Sequence, residues 1–230
     1  MTELDTNEIE KQLSELFSVL TEEQQSQLRK CMTMRHYKKD EIIYNEGETP
    51  RQLFCLLSGK VKVYKDGIGR SQIVRIISPV EYFGYRAALA QEAFITAAAA
   101  FEPSFIVKFP LTHIEEFMQT NARLGCFLVQ KLAAALGKSD ERLVNLTQKH
   151  VRARVAESIL YLKECYGTGD DGQTLSACLS RNDMASLSNM TTSNAIRTLS
   201  LFAAEGLISL ERRKICILDE TTLKKISVSG

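Results

Sequence analysis

The stretch SRNDMASLSNMTTSNAIRTLSLFAAEGLISLERRKICIL, from Ser180 to Leu218, decides how the rest of the chain is read. Ser180 has an acid three residues on, Asp183, the pattern of a helix N-cap. The short helix it opens would bury Met184 and Leu187. Asn189 falls where the chain must turn, and asparagine tolerates a positive φ better than most residues. Thr191 caps a second helix that runs to about Glu205 and stops at Gly206. Two short helices joined by so tight a turn make a helix-turn-helix.

A helical wheel divides the second helix. Ala195, Ile196, Leu199, Phe202 and Ala203 cluster on one side, and Ser193, Asn194 and Arg197 lie opposite, near its N-terminal half. That half of a recognition helix enters the major groove. Arginine there donates twice to a guanine edge, asparagine suits adenine, and serine suits base or phosphate. Beyond Gly206, Leu207-Ile208-Ser209-Leu210 and Ile215-Cys216-Ile217-Leu218 alternate as a hairpin. Its tip, Glu211-Arg212-Arg213-Lys214, forms a basic wing able to reach phosphate. A helical hairpin with a merely solvated polar face is the alternative, and the position of the wing argues against it. The residues assigned to double-stranded DNA are Arg181, Thr192, Ser193, Asn194, Arg197, Arg212, Arg213 and Lys214.

Upstream, residues ~151 to ~166 read as an amphipathic helix, followed by a loop at Gly167 to Gly172. Before them a long apolar stripe includes Leu124, Phe127, Leu128, Leu132, Leu136, Leu143 and Leu146. Asn121 to Leu146 as one helix would be ~39 Å long. Apolar on more than one side, it suits two partners: its own domain and the same helix of a second subunit. A monomer with a sandwiched helix is the alternative.

Between His36 and Phe109 the apolar period is two, with Ile42, Tyr44, Leu53, Cys55, Leu57, Val61, Val63, Val74, Ile76, Phe105 and Val107 in short strands. Gly and Pro punctuate them, as in a β-barrel, roll or sandwich. Tyr85 to Ala93 has a helical look. The first ~35 residues are helical: Leu13, Leu16, Phe17 and Leu20 share a face, and Thr21-Glu22-Glu23-Gln24 is a capping box.

The 230 residues carry 29 basic and 28 acidic side chains, a formal charge of +1, so any basic surface is local. The chain has 44% hydrophobic residues, enough for real cores. No apolar run reaches the ~20 residues that cross a bilayer, so no membrane partner is expected. Met1-Thr2-Glu3-Leu4-Asp5 is acidic and unlike a signal peptide, which points to the cytoplasm. The six cysteines (31, 55, 126, 165, 178, 216) include no CxxC pair and read as buried, reduced thiols.

The whole chain resembles the bacterial transcription regulators typified by the cyclic AMP receptor protein and the fumarate–nitrate reduction regulator, the CRP/FNR family. The resemblance rests on DEIIYNEGE (Asp40 to Glu48), LSGKVKVY (Leu57 to Tyr64), Tyr82-Phe83-Gly84, LSRNDMA (Leu179 to Ala185) and Glu205-Gly206-Leu207-Ile208, in that order and spacing. It implies an α+β protein with three parts. Residues 1–120 would be a double-stranded β-helix or jelly-roll sensor of the cyclic-nucleotide-binding type. Residues 121–146 would be a dimerisation helix, and 147–230 a winged helix-turn-helix DNA-binding domain. It further implies a homodimer on a palindromic site, RNA polymerase as partner and an unknown small-molecule effector. An effector pocket would involve Gly84, Tyr85, Arg86, Phe94, Ile95, Ser139 and Asp140.

The departures from the family are chemical. Members that bind cyclic nucleotide carry Gly-Glu-Leu and then Arg-Ser-Ala or Arg-Thr-Ala. Here the chain has Gly84-Tyr85-Arg86 and Phe94-Ile95-Thr96, so the cationic partner of the phosphate is gone and cyclic nucleotide is not expected. Only Cys31 stands where an iron–sulfur branch needs several cysteines, so a cluster is not expected either. A haem ligand stays open through His36 or His113. In the recognition helix, Ser193 replaces the family's acidic reader, and Arg197 is retained. No cofactor or metal site is evident from spacing, and the scattered His36, His113 and His150 do not suit cupin-type enzyme chemistry. The remaining alternative is a signalling or interaction module that no longer binds DNA productively.

Overall fold

A computed structural model describes residues 6–228; the acidic start Met1–Asp5 lies outside them. The chain divides into two compact units, residues 1–63 with 77–138, and residues 64–76 with 139–230.

The first unit opens with α1 (Thr6–Gln12), α2 (Ser14–Val19) and α3 (Glu22–Cys31). Leu13, Leu16, Phe17 and Leu20 are all buried, as their spacing requires. Thr21 and Gln24 form the reciprocal capping box. Next come β1 (Thr33–Tyr37), β2 (Ile42–Tyr44), β3 (Gln52–Ser58), β4 (Val61–Asp66), β5 (Ser71–Ile77), β6 (Glu81–Phe83), α4 (Tyr85–Leu89), β7 (Ala97–Ala100) and β8 (Ser104–Pro110). They form two four-stranded sheets, ordered β1-β8-β3-β6 and β2-β7-β4-β5.

The central strand β3 is buried on both faces, because its alternate residues enter different cores. Leu53, Cys55 and Leu57 join Val107 and Phe109 against the helices. Phe54 and Leu56 join Ile106, Tyr37 and Tyr44 in the other core. The register Leu53↔Phe109 and Cys55↔Val107 fixes that division, since a slip of one residue would exchange the faces. Gly59, at φ +91°, turns β3 into β4 where any Cβ would lie 2.4 Å from Ser104 Oγ. β7 is four buried alanines paired with β2 (Ile42↔Ala99), a strand that alanine's weak β-preference does not announce.

α5 (Leu111–Thr120) ends at Asn121, whose side-chain amide donates to Val19 O at 2.9 Å and Gln24 Oε1 at 2.7 Å. α6 then runs from Ala122 to Gln148 as one 27-residue helix, about 40 Å long. Leu124, Phe127 and Leu128 are buried, whereas Val129, Leu136 and Leu143 are 61%, 63% and 63% exposed. The exposed three recur every seven residues, the spacing of a coiled-coil seam.

The second unit contains α7 (Val151–Tyr166), α8 (Arg181–Leu187), α9 (Thr192–Ala204), β9 (Ile208–Glu211), β10 (Lys214–Ile217) and α10 (Glu220–Val228). Its core gathers Val155, Ile159, Leu162, Met184, Leu187, Leu199, Phe202, Ile208, Ile215 and Leu223, all buried. Buried hydroxyls tie α7 to the end of α8, with Ser188 Oγ donating to Ser158 Oγ at 2.8 Å. α10, which the sequence did not announce, packs on α7 and is joined to it by Lys163 and Glu220 at 2.5 Å.

The cysteine expectation needs correction. All six are free, yet only Cys55 is buried; Cys126 and Cys178 are exposed and the other three are intermediate. Cys31 packs at the margin of the first core, whereas Cys126 on α6 and Cys178 in a loop lie at the surface. Burial pushes the Cys55 thiol well above the ordinary cysteine range.

Candidate nucleic-acid interface

Local capping chemistry sets the two helices. Ser180 Oγ accepts from the Asp183 N–H at 3.0 Å and Thr191 Oγ1 accepts from the Asn194 N–H at 3.3 Å. Each such cap stabilises its helix by about 1 kcal/mol. Asn189 makes the intervening turn with φ +51°, and Gly206 leaves the second helix with φ +73°. Between them the buried residues of α9 are Ala195, Thr198, Leu199 and Phe202.

Ser193, Asn194 and Arg197 are exposed together on the opposite side, as the wheel requires. Ile196 is a correction: expected on the buried side, it is 45% exposed. It sits 100° from the preceding Ala195 and 60° from Ser193, at the flank of the buried stripe rather than inside it. Thr192 is tied back to α8, its Oγ1 lying 3.2 Å from Asn182 Oδ1.

β9 and β10 pair as the hairpin, Lys214 opposite Glu211 and Ile217 opposite Ile208, leaving Arg212-Arg213 as the tip. Arg181 Nη2 donates to Arg212 O at 3.0 Å, joining the start of α8 to that tip. Arg212, Arg213 and Lys214 are exposed. By contrast, Arg152 is engaged in a two-bonded ion pair with Glu205 and covers the Phe202 ring at 4.8 Å. A shallow groove of about 270 Å³ lies between the start of α7 and α9, lined by Val151, Arg152, Asn194, Arg197, Thr198 and Leu201.

Four polar residues that support the motif were not singled out from sequence. Ser186 Oγ accepts from the Ile73 N–H at 2.9 Å and donates to Ser71 O at 2.7 Å, anchoring α8 to the start of β5. Arg142 donates to Leu187 O at 2.7 Å and stacks on Tyr161 at 5.1 Å. Burial pulls its pKa down, while Tyr161, Glu157 and Cys165 partly offset this. Arg154 donates to Asn189 O at 2.6 Å and Arg70 donates to Asn189 Oδ1 at 3.0 Å, so two guanidinium groups hold the turn. The Arg154 pKa is lowered, first by burial and then by Arg70. Nothing in the local pattern marks these residues, because their hydrogen-bond partners lie 35 to 119 positions away.

The suggested effector residues fall into both units. Gly84, Tyr85, Arg86, Phe94 and Ile95 belong to the first, and Ser139 and Asp140, both exposed, to the second. Phe94 is buried and stacked on Tyr44 with ring centroids 3.9 Å apart. Ile95, expected to fill the same place, is 52% exposed, at the bend that precedes β7. Phe54 stacks on Phe83 at 5.2 Å and packs on Gly84 so closely that a Cβ there would lie 2.5 Å from its ring. Arg86 is half exposed and faces Glu92 at 3.7 Å. A cyclic phosphate needs a cation or several donors to replace its water. Four packed aromatic rings supply neither, so these residues do not fit that group. His36 packs against Phe105 at 4.8 Å and His113 lies edge-on to Phe117. Among the described residues no three His, Cys, Asp or Glu gather as a metal site.

Comparison with known proteins matches two segments of the chain. The cyclic nucleotide-binding domain family matches residues 34–121 and the Crp-like helix-turn-helix domain family matches residues 153–226, together more than two thirds of the chain. The transcriptional activator protein anr of Pseudomonas aeruginosa is 23% identical over 191 residues, 82% of this chain and 78% of that protein. A CRP-like cAMP-activated global transcriptional regulator of Mycobacterium tuberculosis is 24% identical over 191 residues, 82% of this chain and 85% of that protein. The crystal structure of a CRP/FNR-family transcriptional regulator from Eubacterium rectale shares the fold, with a TM-score of 0.78 and 21% identity, covering 93% of this chain and 97% of that one. The chain belongs to the CRP/FNR family of transcription regulators, with a cyclic-nucleotide-binding-type β domain, a long helix and a helix-turn-helix domain.

Proposed function

We propose that the chain works as a homodimer that reads a palindromic DNA site through α9, with an effector other than cyclic nucleotide. The observation that carries this reading is the exposed Ser193, Asn194 and Arg197 on a capped helix, beside the basic wing Arg212, Arg213 and Lys214. Arg197 is the guanine reader, Ser193 and Asn194 contact neighbouring bases, and Arg181 with the wing contacts phosphate. Residues 1–120 sense, 121–146 pair two subunits and 147–230 bind DNA. The exposed heptad Val129, Leu136 and Leu143 supports pairing, because an isolated helix surface gains nothing from it. Two-fold pairing sets half-sites about one DNA turn apart. RNA polymerase is the downstream partner, the location is the cytoplasm, and the protein regulates without catalysing a reaction of its own.

The test is a random duplex library incubated with purified, ligand-free protein and with Arg197→Ala as control. A palindrome retained by the wild type alone supports the reading. Enrichment that is identical for Arg197→Ala contradicts it, and no enrichment leaves two outcomes, an obligatory effector missing from the assay or a module without productive DNA binding. The effector claim is tested by calorimetry with cyclic AMP and cyclic GMP. No binding heat is expected; low-micromolar binding lost in Arg86→Ala would overturn the claim.

A further inference from the structure

Ile196 stands out on α9. Of the large apolar side chains on that helix, Leu199 and Phe202 are fully buried, and Leu201, at 46% exposed, lines the groove beside Val151. Ile196 is equally exposed and has no place in that groove. It also gives the helix nothing locally, since a β-branched residue is a weaker helix former than alanine or a long polar residue. One turn away on the helix, Ser193 and Ser200 are exposed and polar, Thr192 is half-buried and Leu199 is buried. An exposed aliphatic group therefore borders a hydrogen-bonding stripe, in the half of the helix that would face base edges.

The major groove presents one apolar feature, the C5-methyl of thymine. A polar neighbour would gain nothing against that methyl, and water must leave it when a protein approaches. We infer that Ile196 is a specificity-determining residue that packs on a thymine methyl group within two base pairs of the guanine read by Arg197. The inference rests on the proposed role of α9 as the DNA reader and adds a base to its code. Adjacent residues rise 1.5 Å along a helix and bases about 3.4 Å along a strand, so Ile196 and Arg197 cannot address distant positions.

Deoxyuridine tests this directly, because it pairs as thymine does and lacks only the methyl. Each thymine of the selected half-site is replaced in turn by deoxyuridine, symmetrically in both halves, and affinities are measured for wild type, Ile196→Ala and Arg197→Ala. At one position near the Arg197-dependent guanine, the wild type should lose about fourfold per half-site, the factor for one buried methyl-sized group. Ile196→Ala should bind the thymine and deoxyuridine duplexes equally there, with an unchanged melting temperature. If no position responds, or if the wild-type response persists in Ile196→Ala, the inference is overturned while DNA reading by α9 stands. Loss of Arg197-dependent selection altogether would overturn both.

Discussion

Asn189 shows how much one residue can carry. Its φ of +51° lets α8 turn into α9, and Arg154 and Arg70 both donate hydrogen bonds to it. The turn was legible because positive φ is an intrinsic preference of asparagine; the two arginines were not, because they come from distant segments. Ile196 was misassigned for a similar reason. A wheel ranks positions by angle, and a flank residue is sorted only by which neighbouring element arrives beside it. Asp171 offers a sharper test of a single side chain. Its carboxylate accepts from Thr174 Oγ1 at 2.5 Å and from the backbone N–H groups of Thr174 and Gln173, which lowers its pKa from 3.8 to about 2. The contribution to stability is present above the unfolded value and vanishes as pH falls through the folded one. Carboxyl carbon NMR should therefore give a midpoint of about 2, moving up in Thr174→Val; a midpoint at 3.8 in the wild type would contradict the bonding. Phe94 tests the packed aromatic core. Phe94→Ala should cost about 3–5 kcal/mol in chemical denaturation, the range for a buried phenylalanine, and a cost under about 1 kcal/mol would mean that the ring is not packed on Tyr44.

Among the elements, legibility followed locality. The capped helices α3, α8 and α9 are written in consecutive residues, as are the wing and α7. β3 was legible only as its odd-numbered half, because a strand buried on both faces loses the alternation that marks a one-sided strand. β7 was missed, since its four alanines become a strand through pairing with β2 and not through propensity. α6, by contrast, was legible as one long apolar helix over Asn121 to Leu146, and it runs from Ala122 to Gln148. Its exposed Val129, Leu136 and Leu143 lie on a helix whose Leu124 and Leu128 are already buried within the chain. Leu136→Glu combined with Leu143→Glu should convert a dimer to a monomer in sedimentation equilibrium without lowering helix content, because like charges would face each other across the seam. A dimer that survives both changes would place the subunit interface elsewhere.

For the molecule taken entire, the residues of the suggested effector pocket and the residues proposed to read DNA differ in how far the sequence informs about them. The reading proposed for DNA needs particular side chains on one local motif, and the helices and turn of that motif were visible in consecutive residues. Effector recognition needs a shaped cavity, and only the absence of the phosphate's partner could be read; that Phe94 stacks on Tyr44 while Ile95 turns outward required the fold. The start of β5, held by Ser186 through two hydrogen bonds, is a connection no linear pattern announces.

The proposed division of labour is that α9 reads bases while the wing holds the backbone. A titration of wild type, Arg197→Ala and Arg213→Ala against the selected palindrome and a scrambled duplex, at several salt concentrations, separates the two roles. Arg197→Ala should weaken binding by about 1–3 kcal/mol per guanine on the palindrome and by almost nothing on the scrambled duplex. Arg213→Ala should weaken both duplexes alike and reduce the salt slope by about one for each phosphate it no longer neutralises. Equal weakening on both duplexes for Arg197→Ala would show that this helix does not read sequence, and would contradict the division.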